Sequence, residues 1–173
     1  EEVALNQALG AAGIESVETD LGEYILQINY NEPPSHIIAP VIHKDRDEVS
    51  DLFARAHGKP RTSEIRQLTR EAREVLRGHF LTSEMGVTGA NFLIAETGSV
   101  ALVTNEGNGR MVTTLPRVHV VITGIEKIVP TLEDFATLMR LLPRSATGQS
   151  ISNYVSLLTG TRAAGETEGP EKT

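Results

Sequence analysis

Hydrophobic and polar positions change period along this chain, and the changes lay out an alternation of helices and strands. Val3, Leu5, Ala8, Leu9 and Ala12 recur at helical spacing and stop at Gly13. Residues 15–19 read as a short strand, and 22–30 fit either a strand or a helical turn. Asn31-Glu-Pro-Pro is a turn. Residues 36–42 read as a strand with Pro40 inside it, which confines it to an edge. Asp45 and Glu48 form a capping-box pattern ahead of Val49, Leu52, Phe53 and Ala56, and the helix ends at Gly58-Lys-Pro60. The longest helix spans 63–81, with Ile65, Leu68, Ala72, Val75, Leu76 and Phe80 on one stripe and Arg and Glu opposite.

The second half carries shorter, more apolar runs. Residues 91–95, 99–104 and 118–122 read as buried strands. Thr131 caps a helix carrying Leu132, Phe135, Leu138, Met139 and Leu142, which Pro143 is expected to stop. Residues 150–158 fit a final helix or strand, and 161–173 are polar and turn-rich, a loop or linker. Strands apolar on both faces and alternating with helices predict an α/β fold, a mostly parallel sheet covered by helices. Ligands of such sheets bind beyond the carboxyl ends of the strands.

Composition narrows the chemistry. With net charge −7, scattered Lys and Arg, and 4% aromatic residues, the chain offers neither a basic face nor a stacking platform for nucleic acid. The absence of cysteine excludes disulfides, thiolate metal sites and a cysteine nucleophile within these residues. No apolar run is long enough to span a membrane and no signal peptide opens the chain, so the expected location is cytoplasmic. The opening Glu-Glu-Val and the polar end suggest a piece cut from a longer polypeptide. His36 and His43 fall on opposite faces of their expected strand, so no metal site is assigned, and His119 reads as a hydrogen-bonded core residue.

The candidate chemistry concentrates in residues 86–111, GVTGANFLIAETGSVALVTNEGNGRM. Glu96 has two readings, a turn carboxylate accepting backbone N–H groups or a general base or nucleophile. Glu106 has the same two. The loop holding Asn105, Glu106, Asn108 and Arg110 carries more polar chemistry than a turn requires, and Arg110 is suited either to clamp a carboxylate or to pair with Glu106 or Glu96. Thr88 and Asn91 are candidate anion donors or turn formers. Lys127, just past a strand end, is a candidate counter-charge or a solvated lysine.

The same stretch, with TLPRVHVVITGIEKIVPTLED and SLLTGTR after it, resembles the lactate-utilisation protein B family, iron–sulfur proteins carrying an LUD domain. The similarity runs from about Glu1 to Gly169, with residues 1–160 as the domain. It implies a relative of the NagB/RpiA/CoA-transferase-like fold, a three-layer α/β/α sandwich. It also implies a part in oxidising L-lactate to pyruvate beside other lactate-utilisation subunits. The [4Fe–4S] clusters of that family would lie in a cysteine-rich part outside this chain. Two alternatives stand beside this: acyl transfer with Glu96 or Glu106 as nucleophile, as in the CoA transferases of that fold, and a non-catalytic scaffold.

Overall fold

A computed structural model describes residues 4–36, 39–104, 106–152, 154–167 and 170–171. The chain divides into two compact units, residues 1–79 and 80–173. It has the α/β composition expected from the sequence.

The first unit is helical: α1 (Leu5–Ala11), α2 (Leu21–Ile28), α3 (Arg46–His57) and most of α4 (Ile65–Thr82). Its core gathers Ile25, Leu52, Phe53, Leu68 and Ala72. Of residues 22–30, ambiguous in sequence, 22–28 are helical because the Asp20 carboxylate accepts from the N–H groups of Gly22 and Glu23, and 29–30 turn out of the helix. The capping box of Asp45 and Glu48 forms as expected, and Gly58 ends α3 in the left-handed region at φ 64°.

Two strand expectations in this unit fail. Residues 15–19 are irregular, because the Gln27 side chain takes the place of a neighbouring strand: it donates to Ser16 O and accepts from Glu18 N. The described residues of 36–42 form turns, closed by the Ser35 N–H donating to Pro40 O at 3.1 Å; residues 37–38 lie outside the described ones.

The second unit holds the strands. β1 (Met85–Thr88) pairs in parallel with β4 (Val118–Val121), Gly86 opposite His119 and Thr88 opposite Val121. A four-stranded sheet has the order β5 (Ile128–Val129), β2 (Phe92–Ile94), β3 (Ser99–Val103), β6 (Val155–Leu158). Within it β2–β5 is parallel, whereas β2–β3 and β3–β6 are antiparallel. Among the described residues the strand pairing is therefore mixed, two parallel and two antiparallel pairs, rather than mostly parallel. The cause is local: Thr97-Gly98, with Gly98 at φ 66°, folds β2 and β3 into a hairpin.

Ile94, Ala101, Val129 and Phe135 form the core against α6 (Leu132–Thr147). Pro143 does not stop α6. The helix runs one turn further to Gly148, and Pro143 is buried inside it. The ambiguous residues 150–158 provide β6. One helix was not legible in the sequence: α5 (Asn108–Thr114), which packs on β1. The described part of 161–173 is irregular and hydrogen-bonded in place. Arg162 N donates to Pro170 O, Glu171 N donates to Arg117 O, and Arg117 pairs with Glu171 at 3.0 Å.

Candidate functional site at the carboxyl end of β1 and β4

Gly86 decides where α5 sits. A Cβ at this position would lie 2.1 Å from the Val112 carbonyl oxygen, so only glycine lets the helix lie this close to the strand. Residues 115–117 then join the end of α5 to the start of β4, so the helix runs antiparallel to β1 and β4. From Val112 back to Asn108 the helix rises about 6 Å. From Gly86 to Thr88 the strand advances about 7 Å. The first turn of α5 therefore stands level with the carboxyl ends of the parallel pair, where open α/β sheets bind ligands.

This arrangement brings most of the sequence candidates to one end of the second unit. Thr88 is the last residue of β1, half-buried, and its Oγ1 lies 2.8 Å from His119 Nε2. Asn91 follows it, with Oδ1 accepting from Val103 N at 2.8 Å, and so ties this end of the hairpin to β3. Asn108 opens α5 half-buried, and Glu106 and Arg110 are exposed beside it. Lys127 ends the turn after β4 (Ile125–Lys127), exposed. The Glu126 carboxylate folds back over Gly124 in the same turn. Asn105 lies outside the described residues.

Glu96 is elsewhere. It sits in the hairpin turn, at the opposite end of β3 from Thr104. The five residues of β3 span about 17 Å at roughly 3.4 Å each. Its Oε2 accepts the backbone N–H of Leu132 at 2.9 Å, the first residue of α6, and its own N–H donates to Pro130 O at 3.0 Å. Thr131 adds the side-chain cap, accepting from Asp134 N. Glu96 thus satisfies a helix N-terminus and is not grouped with Arg110.

His119 is the buried chemistry behind this site. It is 1% exposed, and its Nδ1 has no hydrogen-bond partner among the described residues. Burial holds its pKa below the ordinary histidine value. The core reading of His119 in the sequence is what the structure shows; the bond to Thr88 was not foreseen.

The helical unit contains two polar networks that sequence reasoning missed. Tyr24 Oη, His57 and Glu71 form a buried chain, with Tyr24 Oη to His57 Nε2 at 2.8 Å and His57 Nδ1 to Glu71 Oε1 at 2.6 Å. Burial, with the Glu71 charge, pushes the Tyr24 phenol above its usual pKa. Nearer the surface, Lys44, Asn29 and His43 converge on Glu32, and their hydrogen bonds lower its pKa to about 2. His43 also lies 2.6 Å from Ser35 Oγ. A cleft of about 700 Å³ in this unit is lined by Glu15, Glu18, Glu23 and Glu32, charges that oppose a carboxylate ligand. The strand ends of the second unit, with Arg110 and Lys127, suit one better.

No group of three or more His, Asp or Glu side chains among the described residues could hold a metal ion. With no cysteine in the chain, its residues do not fit an iron–sulfur cluster. Among the described residues no helix is long and apolar enough to cross a membrane.

An α/β unit with a glycine-seated helix over a parallel strand pair is the class of protein the geometry defines. The chain belongs to the LUD domain family, which matches residues 2–173. It is 51% identical to lactate utilization protein B of Bacillus licheniformis over 172 residues. It is 49% identical to the proteins of that name from Geobacillus kaustophilus and Bacillus subtilis over 172 residues each. Each match covers 99% of this chain and 36% of the relative, so the chain spans about a third of their length. A solved DUF162 family protein from Deinococcus radiodurans is similar with a TM-score of 0.42 and 21% identity, over 54% of this chain and 52% of that one.

Proposed function

We propose that this chain is the LUD domain of a cytoplasmic lactate-utilisation protein that takes part in oxidising L-lactate to pyruvate beside other lactate-utilisation subunits. The observation that carries the reading is identity near one half, over 99% of the chain, to several proteins named for lactate utilisation. Any [4Fe–4S] cluster belongs outside these residues, which supply no thiolate.

The strand-end geometry supports a small 2-hydroxy acid as the ligand. Arg110 receives the carboxylate, with Lys127 as further positive charge. Thr88, Asn91 and Asn108 supply hydrogen-bonding groups, and Glu106 is the proposed acceptor of the hydroxyl proton. Glu96 is not assigned to that reaction because its carboxylate holds α6. The same contact leaves acyl transfer at Glu96 without a supporting observation.

The test uses the complete natural polypeptide, purified without oxygen. The expected result is stoichiometric iron and acid-labile sulfide, with L-lactate-dependent reduction of an artificial electron acceptor that Arg110→Ala lowers. Absence of lactate-dependent reduction in the presence of its partner subunits overturns the reading.

A further inference from the structure

Two observations at the strand ends remain unused by the functional reading. His119 is fully buried, its Nδ1 has no hydrogen-bond partner among the described residues, and its Nε2 meets the hydroxyl of Thr88, the last residue of β1. Neutral imidazole carries one proton, and the two tautomers leave different groups unsatisfied. With the proton on Nδ1, a buried N–H would have no acceptor, and orphaned buried N–H groups are rare. With the proton on Nε2, the unpartnered atom is a lone pair, and the N–H is satisfied by Thr88 Oγ1 at 2.8 Å. The second arrangement is favoured.

It has a consequence for Thr88. A hydroxyl that accepts from His119 no longer needs the imidazole as its own acceptor, so its proton is free to be donated elsewhere. Thr88 is the last residue of β1, its carbonyl is already bonded to Ile122 N at 2.9 Å, and its side chain is half-buried at the strand end. Arg110, in the first turn of α5, and Lys127, ahead of β5, are exposed. We infer that His119, as the Nε2–H tautomer, is a positioning residue that turns Thr88 into a fixed hydrogen-bond donor for a carboxylate oxygen of a small 2-hydroxy acid. The inference rests on the functional reading above for its ligand, and on the buried imidazole alone for its geometry.

The experiment is nitrogen NMR of the ¹⁵N-histidine-labelled chain through long-range proton couplings, with His119 assigned by the signals lost in His119→Gln, followed by titration with L-lactate. The expected spectrum shows a protonated Nε2 and an unprotonated Nδ1 at His119, and L-lactate shifts both resonances. Thr88→Val is expected to weaken L-lactate binding about tenfold, and Thr88→Ser to restore it. A protonated Nδ1 overturns the inference whatever the ligand does. So does Thr88→Val binding L-lactate as tightly as the unaltered chain, which leaves the lactate reading standing. If the unaltered chain shows the Nε2–H tautomer but binds no L-lactate, the ligand assignment falls together with the functional reading it rests on.

Discussion

The second unit contains the same junction twice, a parallel strand pair whose carboxyl ends meet the start of a helix, and the two are finished differently. At β2–β5 the chain fills the junction itself. Glu96 accepts from Leu132 N, Thr131 caps α6 through Asp134 N, and the helix is held by its own carboxylate and hydroxyl. At β1–β4 the helix N-cap is Gly107, which supplies no side-chain cap, and Asn108 and Arg110 in its first turn are half-buried and exposed. One junction spends its polar groups on stability and the other keeps them at an exposed end. The two glutamates that look alike in sequence, Glu96 and Glu106, are separated by this division.

The comparison can be broken most severely at Gly86. Gly86→Val drives a side chain into the backbone of α5, and urea unfolding is expected to show a loss of about 3 kcal/mol. L-lactate binding should be lost with the displaced helix. Unchanged stability would mean that α5 is not seated as described.

Arg110→Ala should act in the opposite sense, on binding and not on stability. Losing a charge-assisted hydrogen bond of about 1.5 kcal/mol corresponds to roughly tenfold weaker L-lactate binding by calorimetry. An unaltered affinity would remove Arg110 from the site. Glu96→Ala tests the filled junction. Loss of the α6 contact should cost about 1 kcal/mol in chemical denaturation, with L-lactate affinity unchanged. Weakened binding at unchanged stability would return Glu96 to the reacting groups.

The smallest effect is a pH dependence confined to the open junction. Burial lowers the folded-state pKa of His119 below its unfolded value near 6.5, so the unfolded chain binds the proton first. The stabilisation is fully present above that unfolded value and falls as pH drops toward the lower folded value. Urea midpoints measured from pH 8 to pH 5 should decline less steeply in His119→Gln. Parallel declines in the two proteins would show that His119 is not the group responsible.

The helices with chain-local signals were legible in sequence. Asp45 with Glu48 and Thr131 with Asp134 lie three residues apart, and a cap needs nothing beyond its own first turn. The direction of strand pairing was not. Residues 91–95 and 99–104 look like buried strands of either kind, and Gly98 was the available sign of a hairpin. Helix α5 was hidden because β-branched Val112, Thr113 and Thr114 are poor helix formers, and its seat is Gly86, far back in the chain. Pro143 marked an end that α6 ignores, since one further turn still closes onto Gly148. The chain from Tyr24 through His57 to Glu71 joins residues 33 and 14 positions apart, a separation no periodicity reveals.

By itself the sequence determined the α/β class, most of the helices, the family, and the stretch 86–111 as the place where polar side chains gather. Those are properties of local spacing and of residue type, which survive without knowledge of what lies across the fold. Tertiary structure alone decided that Glu96 and Arg110 stand at opposite ends of a hairpin, that α5 rests on Gly86, and that His119 stands behind Thr88. Each depends on contacts between segments distant in the chain, where strand direction and the space left by one missing Cβ select the partners.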